Sequence, residues 1–384
     1  MNNFLRISTV YPNFLKEFYN NQYDKNENYE VLLEKFFSKN YSISNNLTKE
    51  LTKLDYNCIE IIENANLIQK QWLKQYGKIK SDESILLQQI KFYNPNIIFI
   101  GNANLANNIL VEKIKKNTNV KIIICFHCAP LTKKIINNLG NVDGIVTCTE
   151  GYKEIISKKI NDNVLLLRHA YNNKELNVKN VNRNIDITFV GSIFIKKGLH
   201  SKRVSLIYKL MKNFNNVYVA LNFSKYFYLE FLINLTKSIF FFKIHRDFSF
   251  FYKLIYIHFF CKKAVFGDKM LEILKNTKIL INTHIDDTEY AGNMRLFEGT
   301  GMGCLVITDY KKNLDEIFNI KSEIEVFNSI DELISKCSYY LDNQDKLFAI
   351  SKKGKLRTLL DHNYEKRIFI LDRFIKELKS EKNI

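Results

Sequence analysis

The sequence predicts an α/β protein made of two Rossmann-like, doubly wound domains that face a cleft. Short, continuous apolar runs alternate with helical stretches, a pattern typical of parallel strands buried on both faces. One polar stretch interrupts this alternation near the middle of the chain. The 384 residues are also too many for one ordinary hydrophobic core, which favours two domains.

The first predicted domain covers residues 1–175. Its apolar runs are 4–10, 58–62, 96–100, 120–126, 144–147 and 164–167, with helical patterns at 85–93 and 151–159. The polar residues 171–183 predict the connection to the second domain.

The second predicted domain covers 183–355, where the alternation restarts. Its predicted strands are 185–190, 216–221, 278–282 and 304–308, and its predicted helices are 201–213 and 267–276. Residues 356–384 predict a helical tail that packs back towards the N-terminal domain. In such a pair of domains the carboxyl ends of the strands face a cleft, so we expect a ligand there.

Composition and charge narrow the class of protein. Hydrophobic residues make up 46% and charged residues 25%, as in ordinary globular proteins. The net charge of +17 favours an acidic partner, such as nucleotide phosphates or an anionic membrane surface. The lysines are scattered and no nucleic-acid-binding motif accompanies them, so nucleic acid is not an expected partner.

The cysteines and the hydropathy predict a cytoplasmic protein. Seven cysteines at irregular spacing argue against a secreted disulfide framework. The first residues do not resemble a signal peptide, and no apolar run is long enough to span a membrane.

Residues 223–263 interrupt the strand–helix alternation with dense aromatic and basic side chains. Phe240, Phe241 and Phe242 are typical of this segment, which carries seven lysines and arginines against Glu230 and Asp247. One interpretation is an amphipathic element that docks peripherally on the inner face of a membrane. The alternative is a helical hairpin that packs its aromatic side chains on the domain.

The most informative stretch is 295–309. It predicts a short helix, closed by Gly303, followed by a buried strand. Arg295 and Glu298 lie three residues apart and therefore on one helical face. Gly292, Asn293 and Met294 would place free N–H groups at the helix N-terminus, which is a favourable anion site. Amides for a diphosphate, an arginine and a carboxylate that accepts from hydroxyls are what a nucleotide-sugar pocket needs. The alternative is a helix whose glycines only allow it to pack closely on a sheet.

Other candidates follow predicted strands. Gly191 and Ser192 follow the strand 185–190, where a glycine lets backbone approach a phosphate. Arg203 is a less certain phosphate partner. His127 follows the strand 120–126 and predicts a base, or a hydrogen-bonding partner of the transferred sugar, with a buried structural histidine as the alternative. His169 is a weaker candidate at the next strand end.

Two further patterns lack the context that their chemistry needs. Cys125 and Cys128 form a C-x-x-C motif without a second pair for zinc, and redox chemistry there is a remote alternative. His284, Asp286 and Asp287 fit no standard metal cage. We therefore predict no metal site.

The C-terminal half resembles the bacterial group 1 glycosyltransferases related to the spore-maturation protein CgeB, which have the two-Rossmann GT-B fold. The most specific element is NMRLFEGTGMG at 293–303. The resemblance also runs through 186–192, 265–267, 278–284, 308–309 and 362–367.

The resemblance implies that the second domain binds a nucleotide-diphospho-sugar, with Glu298 on the ribose and the amides near Gly292, Asn293 and Met294 on the diphosphate. Retaining relatives carry another glutamate eight residues before the ribose glutamate. Here that position is Tyr290, with Glu289 beside it. The resemblance also implies no metal or other cofactor, because the helix dipole and basic side chains stabilise the leaving diphosphate.

The predicted function is therefore transfer of a hexose-type sugar from a nucleotide-diphospho-sugar donor to a glycan or lipid-linked glycan in bacterial surface polysaccharide biosynthesis. His127 and Arg295 are the predicted catalytic residues. The predicted donor-binding residues are Gly191, Ser192, Gly292, Asn293, Met294, Arg295, Glu298 and Glu289. The alternatives are a nucleotide-sugar epimerase on the same fold and a non-catalytic, membrane-associated scaffold.

Overall fold

The computed structural model describes residues 2–40, 44–79, 81–172, 182–193, 201–224, 226–241, 244–285 and 288–384. The chain divides into two compact units. The first is Met1–Asn172 together with Asn363–Ile384, and the second is Asn173–His362.

The first unit contains a six-stranded parallel sheet. Its strands are β1 (Asn2–Ser8), β2 (Tyr56–Ile62), β3 (Ile97–Ile100), β4 (Ile122–Phe126), β5 (Gly144–Thr147) and β6 (Val164–Leu166), in the spatial order β2-β1-β3-β4-β5-β6. The helices that precede the second unit are α1 (Pro12–Asn21), α2 (Tyr29–Phe37), α3 (Asn46–Leu51), α4 (Asn66–Tyr76), α5 (Ile85–Tyr93), α6 (Asn108–Asn117), α7 (Lys133–Leu139) and α8 (Glu150–Lys159).

Both faces of this sheet are covered, which explains its continuous apolar runs. Ile98 and Ile123 belong to one buried cluster, whereas their neighbours Ile97 and Ile122 belong to the cluster on the opposite face. The first strand begins at Asn2 and not at residue 4, because the polar Asn2 and Asn3 still pair in register with β2.

The second unit contains another six-stranded parallel sheet. Its strands are β7 (Ile185–Ile193), β8 (Val217–Phe223), β9 (Lys262–Lys263), β10 (Thr277–Asn282), β11 (Leu305–Asp309) and β12 (Glu325–Phe327), in the order β12-β11-β10-β7-β8-β9. Its helices are α9 (Ser201–Asn213), α10 (Phe227–Phe240), α11 (Ile244–Phe260), α12 (Gly267–Lys275), α13 (Met294–Gly301), α14 (Leu314–Ile317), α15 (Ile330–Asp342) and α16 (Gln344–Asp361).

The C-terminal helix α17 (Tyr364–Glu381) belongs to the first unit, where Leu371, Phe374 and Ile375 are buried in the core. The chain changes unit at Asn363 and not at residue 356, where the predicted tail begins. The reason is that α16 continues to Asp361 and is packed within the second unit. There the hydroxyls of Thr358 and Thr300 lie 2.6 Å apart.

The aromatic segment forms the helical hairpin α10–α11 within the second unit. Phe231 and Phe251 meet edge to face between the two helices, with ring centroids 5.4 Å apart. Leu254 and Ile257 are buried in the core of the unit. None of the described helices combines the length and the apolar character needed to cross a bilayer.

Candidate functional site

The strand order of the second sheet reverses between β7 and β10, and ligands of doubly wound sheets bind at such switch points. Arg203 from α9 ties the two strand ends together there. Its Nη1 donates to the carbonyl of Ser192 (2.7 Å), and its Nε and Nη2 donate to the hydroxyl and carbonyl of Thr283 (2.8 and 3.0 Å). Its guanidinium is thus a buried clamp on the protein backbone, which disfavours the suggested role as a phosphate partner.

The sequence predicts that Gly191 and Ser192 follow the strand 185–190, and this placement is wrong. The strand continues to Ile193, so Gly191 and Ser192 lie within it and pair with Leu221 and Asn222. A Cβ at Gly191 would lie only 3.0 Å from the Phe189 ring. Close packing against that ring is therefore a sufficient reason for a glycine here.

Helix α13 begins at Met294, one residue before the predicted stretch 295–309, and Asn293 is its N-cap residue. The Asn293 side chain does not cap the described first turn. Its amide donates instead to Oδ1 of Asn282 (2.9 Å) and the carbonyl of Thr283 (3.2 Å). Its Oδ1 is buried and accepts no hydrogen bond from the described residues. The helix N-terminus, with buried Gly292 before it, therefore lies against the end of β10 at the switch point.

Arg295 and Glu298 form an ion pair on α13, with Nη1 2.5 Å from Oε2. Only 9% of Glu298 is exposed. Burial raises the pKa of Glu298, and the charge of Arg295 opposes that rise. Nη1 of Arg295 also contacts the sulfur of Met270, while its Nε is buried without an acceptor among the described residues. The structure brings these two predicted residues together in one partly desolvated pair.

The glycines after this pair have structural roles. A Cβ at Gly299 would lie 2.2 Å from Leu280 and 2.8 Å from Val306, so α13 packs directly on β10 and β11. Gly303 has φ +78°, a conformation that favours glycine. The alternative, in which glycine allows the helix to pack closely on the sheet, is thus correct for Gly299. It is compatible with a ligand site at the first turn of α13, where Met294 and Arg295 are half-buried.

Sequence reasoning missed one polar pair at the ends of β10 and β11. Nδ1 of His284 lies 2.8 Å from Oδ1 of Asp309, and the backbone N–H of His284 donates to the same oxygen (2.9 Å). Burial opposes ionisation of Asp309, but the bonds from His284 and the charge of Lys311 hold its pKa at about 2. Nε2 of His284 is buried and has no partner within the described part of the chain.

A signal for this pair was present in the sequence, because His284 and Asp309 both follow predicted neighbouring strands. In the sequence, His284 stands out only beside Asp286 and Asp287 as a metal-ligand candidate, and these two aspartates lie outside the described ranges. Among the described residues, no group of three or more histidine, cysteine, aspartate or glutamate side chains is arranged to hold a metal ion.

Glu289 does not join the pair on α13. Its side chain is exposed and lies 2.7 Å from Nζ of Lys312, which lowers the pKa of the carboxyl. Tyr290, which occupies the position of the second glutamate of retaining relatives, is half-buried next to it.

In the first unit, His127 follows β4 and is buried beside the ring of Tyr152. Burial lowers the pKa of His127, and a hydrogen bond with the backbone of Ala129 opposes the shift. Its Nε2 is buried and unpartnered among the described residues. This burial favours a neutral imidazole. A neutral imidazole is compatible both with a catalytic base and with a structural histidine.

The cysteines near His127 are arranged differently from a C-x-x-C pair. Cys128 forms a disulfide with Cys148, with Cα atoms 5.7 Å apart. Cys125 is a free, buried thiol whose pKa is raised by burial. A reactive C-x-x-C thiolate is therefore not supported.

A cavity of about 230 Å³ lies at the switch point of the first sheet, between the ends of β1 and β3 at Ser8 and Gly101. Three guanidinium groups and four phenyl rings contribute to its lining: Arg6, Arg168, Arg367, Phe36, Phe37, Phe99 and Phe126. His169 also lines it, and burial, together with the charge of Arg367, lowers the pKa of His169 to about 4. The described lining includes no carboxylate.

Comparisons with known proteins show which family and which structures this chain is similar to. Residues 252–372, which include α13, match a family model described as glycosyl transferase-like. No curated protein matches the sequence. The structure of Anabaena HepE in complex with UDP-glucose superposes with a TM-score of 0.61 at 8% identity, covering 99% of this chain and 100% of that chain.

Two further structures cover nearly the whole chain. A glycosyltransferase from Rickettsia africae has a TM-score of 0.56 at 12% identity, covering 99% of this chain and 98% of that chain. Sucrose-phosphate synthase from Thermosynechococcus elongatus has a TM-score of 0.56 at 8% identity, covering 99% and 100%. These structures confirm the predicted two-domain GT-B fold, and residues 252–372 are similar to the glycosyl transferase-like family.

Proposed function

We propose that this protein transfers a sugar from a nucleotide-diphospho-sugar to a glycan or lipid-linked glycan in bacterial surface polysaccharide biosynthesis. The observation that carries the proposal is the partly buried Arg295–Glu298 ion pair on α13. The pair belongs to a helix whose N-terminus lies at the switch point of the second sheet, where nucleotides bind in such folds.

In this proposal each part of α13 contacts a different part of the donor. Glu298, as a carboxylate, accepts hydrogen bonds from the ribose hydroxyls. The helix N-terminus at Gly292, Asn293 and Met294 binds the diphosphate, and Arg295 neutralises the charge that develops on it as the sugar leaves. The UDP-glucose complex of HepE makes UDP-sugars the first donors to test.

The remaining predicted residues take supporting roles. His127, held neutral by burial, acts as a base or hydrogen-bonds the transferred sugar. The packed backbone at Gly191 and Ser192 forms the wall of the donor site, and Glu289 lies at its rim. We propose no metal or other cofactor, because the helix terminus and Arg295 supply the electrostatic stabilisation of the leaving group.

We propose that the acceptor binds to the first unit, at the cavity between the ends of β1 and β3. Arg6, Arg168 and Arg367 line it. Arg6 pairs with Glu60, Arg168 pairs with Glu150, and Arg367 donates to the carbonyls of Arg168 and His169. The lining combines arginine side chains with an apolar floor and includes no carboxylate among the described residues. This composition favours an acceptor with an anionic group, such as a phosphate, attached to an apolar body. We also propose that the enzyme acts in the cytoplasm at the inner face of the membrane, where a lipid-linked acceptor is accessible.

The proposal is tested by incubating the protein with a panel of UDP-, GDP-, CDP- and ADP-sugars and measuring release of the nucleoside diphosphate. We expect release from one nucleotide class, including slow hydrolysis without acceptor. Conversion of the sugar to its epimer would indicate an epimerase instead. Binding of a nucleotide without any turnover, in the presence of bacterial membrane extract as an acceptor source, would indicate a non-catalytic scaffold.

A further inference from the structure

The hairpin α10–α11 exposes an unusual amount of large apolar side chain. The most exposed examples are Phe240 and Phe259 (76% each), Tyr228 (68%) and Phe248 (65%). Further exposed members are Tyr226, Leu229, Leu232, Ile233, Ile239, Phe241, Tyr252, Ile255 and Phe260. A concentration of exposed apolar side chains on one hairpin is typical of a protein or membrane contact.

The exposed side chains form a stripe on each helix. On α10, Tyr228, Leu232 and Ile239 share one side of the helix with Leu229, Ile233 and Phe240 beside them. On α11, Phe248, Tyr252, Ile255 and Phe259 repeat at four, three and four residues. Phe227, Phe251, Leu254 and Ile257 lie on the opposite sides and are buried. The inward faces therefore account for folding, and the outward faces have another purpose.

The charges around the stripes identify the partner. Among the side chains described from 226 to 263, Glu230 is the one carboxylate, against Lys237, Lys253, Lys262 and Lys263. Helix α9, which packs against α11, adds Lys202 and Lys212, whereas its Lys209 forms an ion pair with Asp331. An apolar surface rimmed by lysines complements anionic lipid headgroups over acyl chains. A second copy of this chain would instead bring two surfaces of the same positive sign together.

We propose that the α10–α11 hairpin is an interfacial membrane anchor that lies in the plane of an anionic bilayer, with its aromatic stripes among the headgroups. Neither helix has the length and apolar character to span the bilayer. The proposal also deepens the proposed function, on which this part rests: an enzyme held at the membrane surface takes an acceptor carried on a lipid.

Flotation of the full-length protein with lipid vesicles tests the anchor. Binding to phosphatidylcholine vesicles that contain phosphatidylglycerol should be strong at low salt and weaken as salt rises, and binding to pure phosphatidylcholine should be weak. Replacing Lys262 and Lys263 by Gln should reduce the affinity for anionic vesicles by roughly tenfold or more, because each lysine near the surface contributes about fivefold.

The aromatic contribution is tested by Phe240→Ser with Phe241→Ser, and separately by Phe259→Ser with Phe260→Ser. Both pairs should release the protein from vesicles without lowering its melting temperature. Phe348→Ser with Phe369→Ser, which removes exposed phenylalanines from α16 and α17, is the matched control and should leave binding unchanged. A lowered melting temperature in both hairpin variants would show that these side chains are core and overturn the anchor.

Two other results would also overturn it. One is equal, salt-independent binding to neutral and anionic vesicles, or no binding at all. The other is a wild-type dimer, seen by analytical ultracentrifugation, that the hairpin variants convert to a monomer while vesicle binding is absent. The nucleotide panel is independent of these assays, so failure of the anchor and failure of the transferase proposal are distinguishable.

The lipid-borne acceptor is tested with bacterial inner-membrane vesicles and the radiolabelled donor that the nucleotide panel identifies. The label should enter the lipid-extractable fraction, and the hairpin variants should reduce that incorporation while donor hydrolysis stays unchanged. Incorporation only into water-soluble glycan, at equal rates in wild type and variants, would contradict this part of the proposal.

Discussion

Helix α13 and the hairpin α10–α11 belong to the same compact unit and distribute their side chains in opposite ways. Helix α13 carries the desolvated charges of Arg295 and Glu298 and follows β10, which ends beside the buried His284. The hairpin exposes aromatic and aliphatic side chains, while its buried face packs in the core of the unit.

This difference matters because both arrangements oppose folding. Buried charges lose hydration, and exposed apolar surface gains nothing from the hydrophobic effect. Neither arrangement is needed for a stable α/β unit, so each points to a ligand. The charges of α13 suit a small polar ligand, and the hairpin suits an extended apolar surface rimmed by anions.

The largest expected effect is on turnover and concerns Arg295. Arg295→Lys keeps a positive charge beside Glu298 but loses the planar fork, so we expect turnover to fall by about a hundredfold, with a smaller loss of donor affinity. Steady-state rates of donor hydrolysis measure this. Arg357→Lys, in the exposed pair with Asp361 on α16, is the matched control. A lower melting temperature with unchanged turnover would show that Arg295 only supports the fold.

The next effect is on stability and concerns the packing of α13. Alanine normally favours a helix over glycine by about 1 kcal/mol. At Gly299 its Cβ would overlap Leu280 and Val306, so we expect Gly299→Ala to destabilise the protein by about 2 kcal/mol in urea unfolding. Gly140→Ala, whose nearest atoms would lie at 3.5 Å, should cause little change. Equal effects of the two substitutions would mean that α13 is not packed tightly on the sheet.

A pH-dependent effect is expected from Asp309, whose carboxyl faces His284 and Lys311. Its pKa of about 2 lies below the ordinary value of 3.8, so it stabilises the fold above pH 4 by at most about 2 kcal/mol. That contribution should disappear as the pH falls from about 4 towards 2. Asp309→Asn should therefore reduce the free energy of unfolding at neutral pH, with a difference from wild type that shrinks in acid. A difference that is constant with pH would contradict the role of the His284–Asp309 pair.

The smallest expected effect is that of removing exposed phenylalanines from the hairpin, and it distinguishes the hairpin from the donor site on α13. Replacing Phe240 and Phe241 by Ser should change neither the melting temperature nor the affinity for UDP, because these side chains contact solvent in the free protein. Differential scanning fluorimetry with and without UDP measures both. Loss of UDP-dependent stabilisation in this variant would link the hairpin to the donor site and remove the distinction between them.

The sequence predicted most of the fold because parallel strands buried on both faces leave a strong local signal. The run 144–147 matches β5, and the helix 201–213 matches α9. Strand β12 and the pairing of Lys262 and Lys263 in β9 were missed, because three or two residues are too short to show a pattern and depend on their neighbours in the sheet.

The part of the site on one helix could be predicted from the sequence. Contacts between residues on different strands could not. Arg295 and Glu298 meet because a helix places positions three residues apart on one face. His284 and Asp309 lie on two different strands, so their pairing follows from strand order and register, which the local sequence does not contain. The role of Arg203 as a clamp between strand ends depends on the same long-range geometry.

The central claim is that α13 binds the nucleoside diphosphate of the donor, and isothermal titration of UDP into the wild type and Glu298→Gln tests it most directly. Loss of the charge-assisted acceptor should weaken UDP binding by about tenfold to a hundredfold, equivalent to roughly 1.5–3 kcal/mol, while the fold is retained. Glu289→Gln, which alters an exposed carboxylate paired with Lys312, should leave the affinity nearly unchanged. Equal UDP affinity in the wild type and Glu298→Gln would contradict the claim.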